Sequence, residues 1–131
     1  MSNYTIEVLP EEGAIVLAVT SAYSVKRDQV EAVEQLIQLF DTSTSSMFLL
    51  VDVTKLQIGV EDLLFSSNEA ARGSAVAVTR HKNLREIAVI SQSKVWHLTA
   101  RGLRTDAFGN IPVQAFSTLD EALTYIRNIP I

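Results

Sequence analysis

Arg85-Glu-Ile-Ala-Val-Ile-Ser91 opens the stretch that decides the fold, an alternation of strands and helices. Its apolar centre is typical of a buried strand, and residues 94–108 after it have helical spacing. A short strand over residues 112–116 and a helix over residues 118–128 repeat the pattern. Strands that alternate with helices in this way form a mainly parallel sheet with helices packed on it.

The amino-terminal part of the chain adds a hairpin and a helix. Residues 4–9 alternate between apolar and polar side chains, residues 14–19 are apolar, and Pro10-Glu-Glu-Gly13 between them is typical of a turn. A connection this short makes the two strands antiparallel. Apolar residues at helical spacing then predict a helix over residues 28–40.

The most hydrophobic strand covers residues 47–53, and we expect it in the middle of the sheet. Residues 60–72 predict a helix, and residues 75–79 fit either a further helical piece, which we favour, or a short strand. The expected architecture is a single α/β domain over residues 1–131, in the order β-β-α-β-α-β-α-β-α. It has a mixed, mostly parallel five-stranded sheet and about four helices.

Composition excludes several classes of protein. The chain has 131 residues and no cysteine, which rules out disulfides, thiolate zinc sites and cysteine nucleophiles. No apolar stretch approaches the ~18 residues of a membrane span, and the first residues lack the basic and apolar regions of a signal peptide. We therefore expect a cytoplasmic protein.

Charge is distributed unevenly along the chain. The net charge is −4, but residues 1–69 carry −8 and residues 70–131 carry +4. This division would produce a basic face if the two halves stay apart in the fold. The opposite charges would cancel if folding interleaves the two halves, which is the interpretation that we favour from sequence. The acidic total argues against a nucleic-acid-binding protein.

Motifs of known catalytic, metal or phosphate-binding sites do not occur in the sequence. It lacks the Gly-x-Ser-x-Gly of serine hydrolases and both glycine-rich phosphate-binding loops. The two histidines, His81 and His97, are not spaced as metal ligands. We predict no catalytic residue, no metal and no cofactor.

Asp52 is the sharpest single candidate for a binding residue. It ends the predicted central strand, and open α/β sheets place their ligands at the carboxyl ends of strands. Asp52, Thr54 and Lys55 would then line a small polar site. The alternative is that Asp52 hydrogen-bonds its own neighbouring backbone or pairs with Lys55 at the surface.

A basic cluster and one tryptophan complete the set of candidates. Arg80, His81, Lys82 and Arg85 lie close together in sequence and would suit an anionic ligand, a lipid headgroup or an acidic partner. The alternative for this cluster is a solvated turn. Trp96 is either a core residue or an anchor of a dimer interface.

Three segments in the same order resemble the SpoIIAA-like, STAS-related family of small bacterial domains. They are Phe48-Leu-Leu-Val-Asp-Val-Thr54, residues 85–90 followed by Trp96, and residues 116–126. The resemblance implies the fold described above. It also implies a domain that binds other proteins or small anionic ligands, without catalysis.

One feature of the family is missing from the sequence. In anti-anti-sigma members, a phosphorylatable serine follows the aspartate strand in an Asp-Ser-Ser/Thr-Gly stretch. The matching region here is Ile58-Gly-Val-Glu-Asp-Leu-Leu64, which has no hydroxyl side chain, and Ser66 and Ser67 lie a turn further on. No phosphorylation site is therefore carried over.

The sequence leaves three functions open. The first is a regulatory module that associates with a protein partner or with itself as a homodimer. The second is a carrier or sensor of a small anionic or lipid-like ligand, with the basic cluster at the mouth of an apolar pocket. The third is an enzyme, which would require Asp52 beside His81 or His97.

Overall fold

The computed structural model describes residues 3–24, 27–56 and 76–129. The strands are β1 (Tyr4–Leu9), β2 (Ala14–Val19), β3 (Met47–Asp52), β4 (Leu84–Ile90) and β5 (Val113–Phe116). The helices are α1 (Gln29–Thr42), α2 (Val76–Thr79), α3 (Lys94–Leu103) and α4 (Leu119–Arg127), with a 3₁₀ turn at Asp106–Phe108.

The five strands form one sheet in the order β1-β2-β3-β4-β5. β1 pairs with β2 in antiparallel fashion, and the other three pairs are parallel. The predicted α/β architecture, its mixed sheet and its central strand are confirmed. The helical alternative is correct for residues 76–79, whereas the helix predicted over residues 60–72 lies outside the described residues.

The third predicted helix is shorter than its apolar spacing indicated. α3 ends at Leu103, and the chain then turns back, because the Ile111 amide donates to the Leu103 carbonyl. The Thr105 hydroxyl also donates to the Gly102 carbonyl at 2.6 Å. These bonds satisfy carbonyls at the end of the helix, so that residues 106–108 form a separate turn.

Side chains of β3 alternate between two apolar layers. Leu49 belongs to a cluster that also contains buried residues of α1, α2 and α3, and we call this side of the sheet the Leu49 face. Leu50 packs with Phe48 and with Ala122 and Ile126 of α4, and we call this side the Leu50 face. Full burial of a leucine side chain contributes about 1.5–3 kcal/mol, so both layers hold the fold together.

α4 begins at an amino-terminal cap, Thr118. The Thr118 hydroxyl accepts from the Glu121 amide at 3.1 Å, and acidic residues occupy the positive first turn. At the other end, Arg127 forms an ion pair with Glu12 at 2.7 Å in the turn between β1 and β2. This contact lowers the pKa of Glu12 and joins the end of α4 to the turn between β1 and β2.

The strand order has a consequence for charge. Because neighbouring strands follow one another in sequence, β1 and β2 form one side of the sheet and β4 and β5 the other. The two halves of the chain therefore lie side by side in the sheet. The second half also reaches across the first, since α4 packs on Ala14 and Phe48 and Arg127 pairs with Glu12. The cancellation of charge that we favoured from sequence stays a prediction.

Candidate functional site

The Asp52 site lies at the edge where the parallel strands end, which we call the carboxyl edge. Asp52 Oδ1 accepts from the Thr54 amide at 3.0 Å and from the Thr54 hydroxyl at 2.6 Å. Thr54 and Lys55 are both exposed. Asp52 and Thr54 are thus joined in a local turn, which agrees with the alternative that Asp52 bonds to its neighbouring backbone. The role of Asp52, Thr54 and Lys55 in ligand binding stays a prediction.

The basic cluster lies at the opposite, amino edge of the sheet. Residues 80–82 precede the first residue of β4, and the Asn83 carbonyl accepts from the first amide of β3 at 2.7 Å. The first and last of the six residues of β3 are separated by roughly 17 Å, because a strand rises by about 3.3 Å from one residue to the next. The two predicted groups of binding residues are therefore not parts of one site.

His81 connects two elements at the amino edge. Its Nδ1 accepts from the Asn83 amide at 3.0 Å, so the proton is on Nε2, which donates to Asp41 at 2.7 Å. The side-chain amide of Asn83 donates to the Phe40 carbonyl at 2.8 Å and to the Ser43 carbonyl at 3.3 Å. These bonds hold the end of α1 against the start of β4, which is a structural role.

The other basic side chains diverge. The Arg85 guanidinium lies over the Phe48 ring, 4.9 Å from its centroid. The Arg80 guanidinium lies against Gly109, where a Cβ would come within 2.5 Å of Nη2. Lys82 is exposed. These side chains thus contact different neighbours, and their role in binding an anion stays a prediction.

His97 is the histidine on the same edge as Asp52. Its Nε2 donates to the Ser91 carbonyl at 2.8 Å, and Ser91 follows Ile90, the residue that pairs with Asp52. Asp52 and His97 thus bond to their own chain neighbours instead of each other. Within residues 3–24, 27–56 and 76–129, no group of three or more His, Asp or Glu side chains could hold a metal ion.

Two tyrosine hydroxyls donate part-buried hydrogen bonds to carboxylates. Tyr4 donates to Glu31 at 2.7 Å, and burial and this carboxylate raise the pKa of Tyr4 to about 12. Tyr125 donates to Glu86 at 2.6 Å, and burial and this carboxylate raise its pKa to about 12 as well. Both hydroxyls therefore stay protonated at neutral pH and act as structural donors.

An apolar cavity of about 160 Å³ lies between the Leu49 face and the helices α1 and α3. Leu36, Leu49, Val89 and Trp96 belong to its lining. None of the described lining residues carries a charge, and Tyr23, Gln29, Thr79 and Thr99 are the polar ones. Typical ligand pockets measure about 300–1,000 Å³, so this cavity suits a small apolar guest, and its described lining holds no charged partner for an anion.

Trp96 faces the core. Its half-buried side chain packs against the Leu49 cluster and lines the cavity. Its predicted role as an interface anchor stays a prediction.

The opposite side of α3 carries apolar and basic side chains in solvent. Leu98 is 62% exposed and Val95 is 50% exposed, and Lys94 and Arg101 beside them are also exposed. Residues 94, 98 and 101 follow helical spacing, so they share one face. We call Lys94, Val95, Leu98 and Arg101 the α3 outer face. Sequence reasoning missed it, although the same helical periodicity that places Trp96 inside places Leu98 outside.

No family model and no curated protein sequence matches this chain. Its fold is similar to that of solved structures. One is an uncharacterized protein of the DUF3478 family with a SpoIIAA-like fold from Shewanella loihica PV-4. The TM-score is 0.61, the identity is 13%, and the match covers 94% of this chain and 91% of the other.

A second similar structure is an anti-sigma factor antagonist from Mycobacterium paratuberculosis. The TM-score is 0.54, the identity is 21%, and the match covers 95% of this chain and 93% of the other. The chain therefore has the SpoIIAA-like fold that its three sequence segments implied, with one neighbour of regulatory type. No described helix is long and apolar enough to cross a membrane.

Proposed function

We propose that this protein is a non-enzymatic regulatory module that binds another protein through the α3 outer face. The observation that carries the proposal is the exposure of Leu98 and Val95, 62% and 50%, side by side on one helix. Single exposed apolar residues are ordinary, whereas neighbouring ones on one face are typical of contact surfaces. Covering these side chains would contribute about 1–2 kcal/mol each.

The flanking charges support a partner with acidic groups. Lys94 and Arg101 lie on either side of Leu98, and α3 contains no acidic residue. Basic groups at the rim of an apolar contact increase the rate of association with an acidic partner and exclude basic ones. An amphipathic helix or groove with an acidic rim would fit this surface.

The fold comparison supports protein binding in general. One protein with this fold is described as an anti-sigma factor antagonist, a regulatory protein. At 21% identity the likeness does not carry over its partner. Residues 58–67, which would hold the regulatory serine of anti-anti-sigma relatives, lie outside the described residues.

A pull-down from native lysate tests this surface. We expect Leu98→Asp to lose the proteins that wild type retains, because a carboxylate cannot be buried in an apolar contact. Leu119→Asp is the matched control, since Leu119 is 37% exposed on α4 and a carboxylate suits a helix start. Equal retention by wild type and Leu98→Asp, with both folded by circular dichroism, would refute the surface.

The cavity favours a second function, the binding of a small apolar ligand. A dry apolar cavity of about 150 Å³ is large enough for benzene, and this one measures about 160 Å³. Trp96 is the sole tryptophan and lines it, so its fluorescence would report a guest. We expect a saturable change on titration with benzene, and native mass spectrometry would detect a ligand retained from the cell. An unsaturable response would remove this function.

A further inference from the structure

Charge is segregated across the described molecule. Residues 3–24 and 27–56 contain eight acidic and two basic side chains, a net charge of −6. Residues 76–129 contain four acidic and seven basic side chains, a net charge of +3. Strands β1 to β3 come from the first group and strands β4 and β5 from the second, so we call the β1 end of the strand order the acidic side and the β5 end the basic side. Contacts also join the two groups, since Arg127 pairs with Glu12 and His81 bonds to Asp41.

Helices α1 and α3 carry this contrast on the same face of the sheet. α1 lies on the acidic side, where Glu31 accepts from Tyr4 of β1 at 2.7 Å. α3 lies on the basic side and packs against β5. Gln29–Thr42 contains no lysine or arginine, and Lys94–Leu103 contains no aspartate or glutamate.

α1 also has an outer face with an exposed apolar residue. Val30 is 52% exposed, and Glu34, Gln38 and Asp41 continue its row at helical spacing and are exposed. We call these four residues the α1 outer face. Asp41 keeps 62% of its side chain exposed although it bonds to His81. Arg27 precedes the helix, and Lys82 follows His81, the residue that bonds to Asp41.

We propose that the α3 outer face of one molecule docks on the α1 outer face of a second copy. This inference rests on the proposed function and names the partner of α3. The α3 outer face combines Val95 and Leu98 with basic groups, and the α1 outer face combines Val30 with acidic groups, so the two signs are opposite. Like-charge contacts oppose the symmetric alternatives, since α3 on α3 would set basic residues against basic residues.

The contact is therefore heterologous, head to tail. After two copies join, one α1 outer face and one α3 outer face remain free, so that assembly continues in an open row. Helices of ten and 14 residues bury a small area, below about 1,200 Å², which makes the association weak and transient. Charges at the rim of the contact also make the association sensitive to salt.

Sedimentation of the full chain over a concentration series tests the proposal. At about 0.02 M salt, where screening is weak, we expect the average mass to rise with concentration beyond two copies of 14.4 kDa. At about 0.5 M salt we expect association to weaken by roughly tenfold or more. A mass that stays at one copy at every concentration would overturn the proposal, as would a dimer that never grows.

A charge exchange identifies the two surfaces. Arg101→Glu and Glu34→Lys should each weaken association by roughly tenfold, and the two changes on one chain should restore it to within about threefold. Failure of the double variant to associate would overturn the α1–α3 contact. The lysate test with Leu98→Asp also detects proteins other than a second copy, so absence of self-association alone would leave the proposed function standing.

Discussion

The two faces of the sheet are packed differently, and adjacent residues of one strand show it. Leu50 is fully buried at 0% exposure, between Phe48 and α4. Leu49, one residue earlier, is also buried at 3%, but it lines the 160 Å³ cavity. Close packing on one face stabilises the fold, and looser packing on the other leaves room for a guest. Stability and binding are thus assigned to opposite sides of one strand.

Truncation of the two leucines tests this contrast and has the largest expected effect. Leu50→Ala should lower the free energy of unfolding by about 4 kcal/mol, and Leu49→Ala by about 3 kcal/mol. The reason for the difference is that a side chain beside a cavity has fewer contacts to lose. Urea denaturation of both variants measures it. Equal losses, or a larger loss at Leu49, would contradict different packing.

Removal of one tyrosine hydroxyl on each face of the sheet tests whether the polar contacts of the two faces contribute differently to stability. Tyr125→Phe should cost about 1–2 kcal/mol, because Glu86 and Gln114 on the Leu50 face both lose a partner in a half-buried position. Tyr4→Phe should cost about 0.5–1 kcal/mol, because Glu31 and Gln35 are exposed and water replaces the hydroxyl. Chemical denaturation of both variants measures the two losses of stability. A larger loss for Tyr4→Phe than for Tyr125→Phe would contradict this prediction.

The pH dependence of stability follows from the same hydroxyls. Folding raises the pKa of Tyr4 and of Tyr125 from 10.0 to about 12. Their contribution is therefore complete below pH 10 and is lost as pH rises through about 12, because the unfolded chain gives up its protons first. The double variant Tyr4→Phe/Tyr125→Phe should lose less stability than wild type across this window. Parallel curves would show that these hydroxyls do not titrate as described.

A substitution at the cavity wall has the smallest expected effect and the opposite sign. Thr99 lines the cavity, and its hydroxyl bonds back to the Val95 carbonyl at 2.8 Å. Thr99→Leu should raise stability by about 0.5–1 kcal/mol, through better helix propensity and added apolar contact. Thr124→Leu on the exposed side of α4 is the control, since it changes propensity alone. The Trp96 response to benzene should also weaken in Thr99→Leu, because the cavity is smaller.

Sequence predicted the fold where local pattern determines it. The apolar run at residues 47–53 needed cover on both faces, and β3 is indeed central. The helix predicted over residues 118–128 agrees with α4, which Thr118 caps. The end of α3 was missed, because the apolar spacing continues to Phe108 while the chain already turns at Leu103. The apolar spacing identifies the buried face of a helix, but it does not identify the residue at which the helix ends.

The candidate sites were harder to predict, because each depends on the edge of the sheet at which its residues lie. Asp52 ends a strand and Arg80 precedes one, so parallel strands place them at opposite edges. Charge segregation depended on strand order, and the alternation of strands and helices is compatible with several orders. Helical spacing places Leu98 opposite Trp96, but a single exposed leucine is ordinary, so the sequence alone does not mark it as a contact residue.

The sequential strand order also bears on how the protein is made. Each strand pairs with the strand that precedes it in the chain, so β1 to β3 can assemble before β4 and β5 have been synthesised. Contacts between neighbours in sequence require shorter loops to close than contacts between distant segments, which favours rapid folding. A growing sheet of this kind presents a fresh edge to the next segment at each stage. The acidic half would then form first and offer a surface of opposite charge to the basic half as it emerges from the ribosome.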